Sequence, residues 1–340
     1  MTVFKILSLD GGGIRGAFIA AFLAKVQESV DEPLIRYFDL ITGTSTGGLI
    51  AVALGMGVSP QEIRAFYEKD GPSIFTRRPP QLSNAKRSLI DFVLRRAAPG
   101  LDAEWIFHPK YSSDLLRTIL AKKLGRRLLG ESYCRLAIPS VDLAAGKAVV
   151  FKTPHRPNFV RDRHFQAVDV ILATTAAPSY FPAASIEVGS CYCDGGIWAN
   201  NPALVGYVEA IRISRDCTRA GIDLHFGQDD IHLLSIGTGR ASYFLRPNIE
   251  DSGLKWWAPR LLNISGETQS EGIHWQMEYL LGERYSRINF DIPDGDWGLD
   301  AVTNIGALLH FGSQRATENF SYLSARFFAE ANSNYTPFDI

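Results

Sequence analysis

The feature that most constrains this chain occurs twice near its start: an apolar run, a glycine-rich turn, then apolar residues at helical spacing. Val3 to Leu9 has β-branched and aromatic members and stops at Asp10-Gly11-Gly12-Gly13, which predicts a strand and a tight turn. From Ile14 to Val30, Phe18, Ala21, Phe22 and Val26 recur on one helical face. Phe38 to Thr42 predicts a second strand, and Thr46 to Gly55 a second helix made largely of small residues. Strand–turn–helix repeated in this way predicts an α/β protein with a mostly parallel sheet covered by helices.

The pattern continues less regularly. Cys134 to Pro139, Lys147 to Lys152 and Ile231 to Ile236 predict strands, and Cys191-Tyr192-Cys193 leads into the turn Asp194-Gly195-Gly196. Helices are expected from Gln166 to Thr175 and after Asn201-Pro202, while residues 240 to 340 read as mainly helical, with Trp256, Trp257, Trp275 and Trp297 interspersed. No linker interrupts the 340 residues, so one continuous domain over 1–340 is expected.

Charge and cysteine usage narrow the function classes. With 35 Lys and Arg against 36 Asp and Glu, the net charge of −1 argues against a DNA or RNA binder built on a basic surface. The positive charge is uneven, because Arg77 to Arg127 holds 12 basic and 4 acidic residues. Such a stretch is either a solvated helical face or an anion-facing surface. The longest apolar runs, such as Leu49 to Val58, fall short of the roughly 18 residues of a spanning helix. Ile6-Leu7-Ser8-Leu9 is cut off by Asp10, too short for a signal-peptide core, so a soluble intracellular protein is expected. Four cysteines make no disulfide framework, and Cys191 and Cys193 lack a second pair, so no structural metal is expected.

Three glycine turns carry candidate chemistry. Gly43-Thr44-Ser45-Thr46-Gly47 is a G-x-S-x-G between a predicted strand and helix. A turn that sharp needs small flanking residues, and it lifts the Ser45 hydroxyl clear of the sheet at a helix N-terminus. Gly11-Gly12-Gly13-Ile14-Arg15-Gly16 also fits a dinucleotide fingerprint. That reading wants an acidic residue at the end of the second strand, where Gly43-Thr44-Ser45 stand instead. Successive glycines also leave backbone N–H groups open to an oxyanion, and Arg15 could fork onto a phosphate. A nucleophilic serine needs a base. None of the seven histidines sits in a glycine-rich turn, whereas Asp194 does. A Ser–Asp–His triad drawing on His225, His232, His274 or His310 stays open, as does a non-catalytic nucleotide binder.

The order Asp-Gly-Gly-Gly-Ile-Arg-Gly (10–16), Gly-Thr-Ser-Thr-Gly (43–47) and Asp-Gly-Gly (194–196) resembles patatin-like phospholipases. Ala173 to Pro178 and Ser235 to Gly239 add to the resemblance, which spans residues 10 to about 239. It implies a three-layer α/β/α patatin-like fold and a Ser–Asp dyad that hydrolyses acyl esters of membrane phospholipids without a cofactor. Carried over by position, Ser45 is the nucleophile and Asp194 the general base. Gly11, Gly12 and Gly13 form the oxyanion hole, and Arg15 faces the phosphate headgroup. The third motif reads Asp-Gly-Gly where many relatives have Asp-Gly-Ala. Transfer of the acyl group to an acceptor other than water has the same motifs.

The chain is also similar to bacterial patatin-like effectors of cyclic-oligonucleotide anti-phage signalling. That similarity implies a cytoplasmic enzyme acting at the inner membrane surface and switched on by a cyclic di- or trinucleotide. Candidate phosphate contacts are Arg156, Arg161 and Arg163, with His155 and His164 beside them and Phe159 or Phe165 to stack on a base. Phe92, Leu94, Trp105 and Phe107 are candidates for membrane insertion beside the basic stretch. A constitutive or secreted lipase has the same motifs, and the number of chains that assemble, a homo-oligomer included, is left open.

Overall fold

The computed structural model describes residues 3–79, 107–157, 161–222, 224–240, 260–331 and 335–338, with residues 88, 159 and 257 singly. Its strands are β1 (Phe4–Leu9), β2 (Leu40–Gly43), β3 (Arg135–Asp142), β4 (Lys147–Lys152), β5 (Tyr192–Asp194), β6 (Ile231–Ile236) and β7 (Tyr285–Ile288). Six of them run in the order β4-β3-β2-β1-β6-β7, with β5 against β3. The four central pairings are parallel, and β4 and β5 run antiparallel to β3.

Helices cover both faces, which is why β1 is apolar nearly throughout and buried at all six positions. Its residues alternate between two clusters. Leu7 and Leu9 pack among residues of α1 (Gly16–Gln27), α2 (Thr46–Gly55) and the late helix Ile305–Leu323. Phe4 and Ile6 pack among residues of the helices Ala203–Arg219 and Leu261–Leu281. Between these elements lie α3 (Pro60–Lys69), α4 (Asp114–Leu124) and α5 (Ala167–Thr174), so the three late helices are α6 (Ala203–Arg219), α7 (Leu261–Leu281) and α8 (Ile305–Leu323). The result is the expected three-layer α/β/α arrangement. Local signals set some boundaries directly: α3 begins with a Ser59/Glu62 capping box and Pro60 in its first turn.

Two features bring distant motifs together. β2 pairs with residues 135–137 of β3, and β5 takes up the same edge further along, with Asp194 opposite Ser140. Asp194 therefore sits close to the end of β2, where the Ser45 turn begins. The second feature departs from the sequence reading. Within the segment expected to be mainly helical, Tyr-Ser-Arg-Ile (285–288) forms β7 on the edge of β6. Four residues are too few for a legible alternation, and pairing with β6 decides their conformation.

No helix among the described residues is long and apolar enough to cross a membrane. Of the basic stretch, residues 80–87 and 89–106 lie outside the described residues, and with them Phe92, Leu94 and Trp105. Phe107 is 59% exposed. Arg117 pairs with Asp169 at 2.7 Å and Lys110 with Asp300, which offsets part of the local excess.

Candidate active site

Ser45 stands at the junction of β2 and α2 with φ 54° and ψ −120°, a conformation that L-residues adopt at a cost of about 1–3 kcal/mol. Close packing around it explains the flanking glycines. A Cβ on Gly47 would come within 2.2 Å of the Leu9 carbonyl oxygen, so the second glycine of the motif is a steric requirement. The Ser45 N–H donates to Thr174 Oγ1 at 3.0 Å, and Thr174 Oγ1 donates in turn to the Pro139 carbonyl at 2.7 Å. The Ala173–Pro178 stretch thus supports the strained turn.

The Ser45 hydroxyl donates to Asp194 Oδ2 at 2.6 Å, and the Gly196 N–H donates to Asp194 Oδ1 at 2.7 Å. Burial raises the Asp194 carboxyl to about 6, against the lowering effect of those two hydrogen bonds. A carboxylate in this range is still ionised at neutral pH and is a stronger base than an ordinary aspartate. A hydroxyl held this way can pass its proton to Asp194.

The glycine loop passes alongside. Gly13 has φ +56°, and a Cβ there would lie 2.2 Å from the Leu299 carbonyl oxygen, so only glycine fits. The Gly11 N–H is already bonded to the Asn200 carbonyl at 2.9 Å, while Thr238 Oγ1 donates to the Gly11 carbonyl at 2.6 Å. Gly11 therefore braces the loop and has no donor to offer an oxyanion, which corrects its expected place in the hole. The Gly12 and Gly13 N–H groups have no acceptor among the described residues. Asp10, at the mouth of the loop, is gripped by Arg287 through contacts of 2.9 and 2.6 Å and accepts from Ser270 Oγ at 2.7 Å.

Ser45, Asp194, Gly12 and Gly13 share one cavity of about 400 Å³. Its other walls are mostly apolar, among them Leu49, Phe66, Ile74, Phe75 and Phe181. A reactive hydroxyl opening onto such a cavity can take an apolar acyl group.

Residues 7–207 match the patatin-like phospholipase family. The chain belongs to that family. Three relatives carry the name "cGAMP-activated phospholipase". The Vibrio cholerae protein is 33% identical over 93% of this chain and 91% of its own length. The Escherichia coli protein is 34% identical over 72% and 65%, and the Pseudomonas aeruginosa protein 31% identical over 84% and 78%.

None of the seven histidines of this patatin-like phospholipase lines the cavity. His274 lies 3.4 Å from the Tyr285 hydroxyl, and His310 is tilted against Phe311. The segment after β4 is also occupied differently from its sequence reading. Arg156 is buried, with Nε 2.7 Å from Glu209 Oε1, not aligned as a hydrogen bond, and Nη1 donating to Asp216 at 2.7 Å. His155 is buried between Thr153 and Glu209, and burial lowers its pKa to about 4. Phe165 belongs to the core, and Phe159 lies 5.0 Å from the Arg156 guanidinium. Arg156, His155 and Phe165 thus hold the interior together, whereas Arg161 and His164 are exposed and Arg163 is half-buried. Arg161 pairs with the buried Asp162 at 2.8 Å.

Sequence reasoning did not single out Arg287, Glu209 or Glu267. It did flag Ser235 to Gly239, whose role is now visible: Ser235 accepts from Arg287, and Thr238 holds Gly11.

Proposed function

We propose that this chain hydrolyses acyl esters of membrane phospholipids by a Ser45–Asp194 dyad, acting from the cytoplasmic side of the membrane and switched on by a cyclic oligonucleotide. The observation that carries the chemistry is the 2.6 Å hydrogen bond from Ser45 to a buried carboxylate at the wall of an apolar cavity. Ser45 Oγ attacks the ester carbonyl carbon as its proton passes to Asp194. The oxyanion then accepts from the Gly12 and Gly13 N–H groups, donors fixed in place before the charge develops. Collapse of the tetrahedral intermediate breaks the C–O bond, and Asp194 returns the proton to the leaving lysolipid alkoxide. Water repeats the sequence on the acyl-enzyme, and Ser45 regains its proton from Asp194. Every proton and electron pair is handled by these groups, so the scheme needs no metal or organic cofactor.

Control by a cyclic nucleotide is supported by the names of the three relatives at 31–34% identity. Arg161, Arg163 and His164 remain as surface groups for its phosphates, whereas Arg156 is committed to Glu209 and Asp216.

The deciding experiment measures fatty-acid release from phospholipid vesicles by wild type and Ser45→Ala, with and without cGAMP. Release by the wild type alone, raised by cGAMP, is the expected result. Equal release by Ser45→Ala would remove the dyad, and release indifferent to cGAMP and to other cyclic di- and trinucleotides would remove the switch.

A further inference from the structure

Beside the acyl cavity lies a second cavity of about 280 Å³. The two share Arg15, Asn263, Glu267 and Leu299 as lining, so they adjoin at these four residues. The first cavity is apolar, whereas the second is bounded by the loop Ile292–Leu299, which brings Asp294, Asp296 and Trp297.

The link between them is an incomplete ion pair. Arg15 is 7% exposed, and its one contact with Glu267 is long, Nη1 to Oε1 at 3.4 Å. A buried Arg–carboxylate pair ordinarily closes as two parallel contacts of about 2.7–2.9 Å. Here Arg15 Nε and Glu267 Oε2 are both buried, and neither has a hydrogen-bond partner among the described residues. Leaving a buried charged donor and a buried charged acceptor unsatisfied is costly. A ligand carrying an anion and a cation a few bonds apart would satisfy both.

The surrounding charge favours the same chemistry. Arg15 is opposed in the second cavity by Glu267, Asp294 and Asp296. The Tyr180 hydroxyl, in the first cavity, is held up at about 12 by burial first, with Asp300 and Asp296 pushing the same way and Arg15 opposing. The acidic loop and Arg15 thus act on one small volume. Trp297 adds an aromatic wall, the surface on which an ammonium group is stabilised.

We propose that the second cavity is a headgroup site for a zwitterionic phospholipid, with the phosphate on Arg15 and the ammonium group on Glu267, Asp294 and Asp296 beside Trp297. This rests on the lipase reading above and adds to it the class of lipid selected. A glycerol headgroup brings the phosphate for Arg15 but leaves Glu267 Oε2 without a cationic partner.

The test presents phosphatidylethanolamine and phosphatidylglycerol of identical acyl chains one at a time in neutral detergent micelles, with cGAMP present. The wild type should favour the ethanolamine lipid in kcat/KM by about tenfold, the worth of one charge-assisted hydrogen bond. Glu267→Gln should remove most of that preference by slowing the ethanolamine lipid, and the surface variant Asp294→Asn/Asp296→Asn should weaken it. Equal kcat/KM for the two lipids in the wild type, or an equal loss on both in Glu267→Gln, overturns the proposal. A second measurement does not depend on hydrolysis: binding of soluble glycerophosphoethanolamine and glycerophosphoglycerol to the wild type, followed by ligand-observed NMR. Tighter binding of the first, lost in Glu267→Gln, supports the site even if no lipid is cleaved, a result that would count against the lipase reading alone. Equal binding, or none, overturns the site.

Discussion

Arg287 on β7 closes a two-pronged ion pair on Asp10, the residue that opens the glycine loop, with Nη1 to Oδ1 at 2.9 Å and Nη2 to Oδ2 at 2.6 Å. The two are 277 residues apart in sequence. Ser235 and Ser270 take further Arg287 N–H groups at 2.7 and 3.1 Å, so the guanidinium is held on several sides. Burial works against its charge, and Asp10 more than compensates, raising its pKa. This pair fixes the start of the loop whose Gly12 and Gly13 line the cavity.

Arg287→Lys should therefore lower kcat at least tenfold with a smaller effect on KM, because a lysine keeps the charge but not the fork that sets the loop's orientation. Arg287→Met leaves Asp10 buried without its partner and should cost about 3–5 kcal/mol of stability. Steady-state kinetics on the lysine variant, alongside urea unfolding of the methionine variant, checks both. Wild-type kcat in Arg287→Lys would remove the positioning role.

Ser45→Ala, Asp194→Asn and the double variant should be equally inactive, since the two groups act as a unit. Asp194→Asn should also melt no lower than the wild type at neutral pH. The folded-state pKa of about 6 lies above the ordinary 3.8, so the fold favours the protonated carboxyl. That contribution is fully present below the ordinary value and is lost as pH rises through about 6. At neutral pH the ionised form then costs up to about 3 kcal/mol, which asparagine avoids. A thermal melt at pH 7.5 tests this, and a large drop in Tm for Asp194→Asn would contradict it.

The pH dependence of kcat/KM should follow the same group. Activity needs Asp194 ionised, so it should rise about tenfold per pH unit on the acid side, bend near pH 6 and stay level above. His225→Ala, His232→Ala, His274→Ala and His310→Ala should keep both the bend and most of the turnover, because none of these rings lines the cavity. Loss of activity by orders of magnitude in one of them would restore a triad.

Glu209 is held by Lys152 Nζ at 2.7 Å, His155 Nε2 at 3.2 Å and Arg156 Nε at 2.7 Å. Burial raises its pKa, yet His155 and Lys152 together hold it well below the usual carboxylate range. Glu209→Gln leaves buried cations without their counter-charge and should cost about 3–5 kcal/mol in urea unfolding. His164→Ala, on the exposed side of the same segment, should change stability by less than about 0.5 kcal/mol. A mild effect at Glu209 would show that the cluster is not structural.

Much of the site was legible in order along the chain, because its requirements are local. The turn at Gly43 to Gly47 needs glycine for steric reasons that act within a few residues of Ser45 and against one neighbouring strand. The helix Thr46–Gly55 and the strand Ile231–Ile236 coincide with their sequence boundaries for the same reason: the apolar run and its glycine stops are adjacent in sequence. Asp194 was legible as an aspartate in a glycine turn, though its burial and its contact with Ser45 depend on β5 sharing the β3 edge with β2.

What the sequence determined by itself was the set of glycine turns, the α/β order and the pairing of a serine with an aspartate as candidate nucleophile and base. Tertiary structure alone decided which polar groups are free to act. Gly11 looks like its neighbours in sequence, but the Asn200 carbonyl takes its N–H. Arg156 reads as a surface cation beside Arg161, yet it is buried because Glu209 and Asp216, on another element, compensate its desolvation. Arg287 sits in a segment without a readable motif, and β7 delivers it to Asp10. The physical reason is the same in all three. Whether a polar group is available depends on burial and on partners brought close by folding, and neither leaves a periodic trace in the surrounding residues.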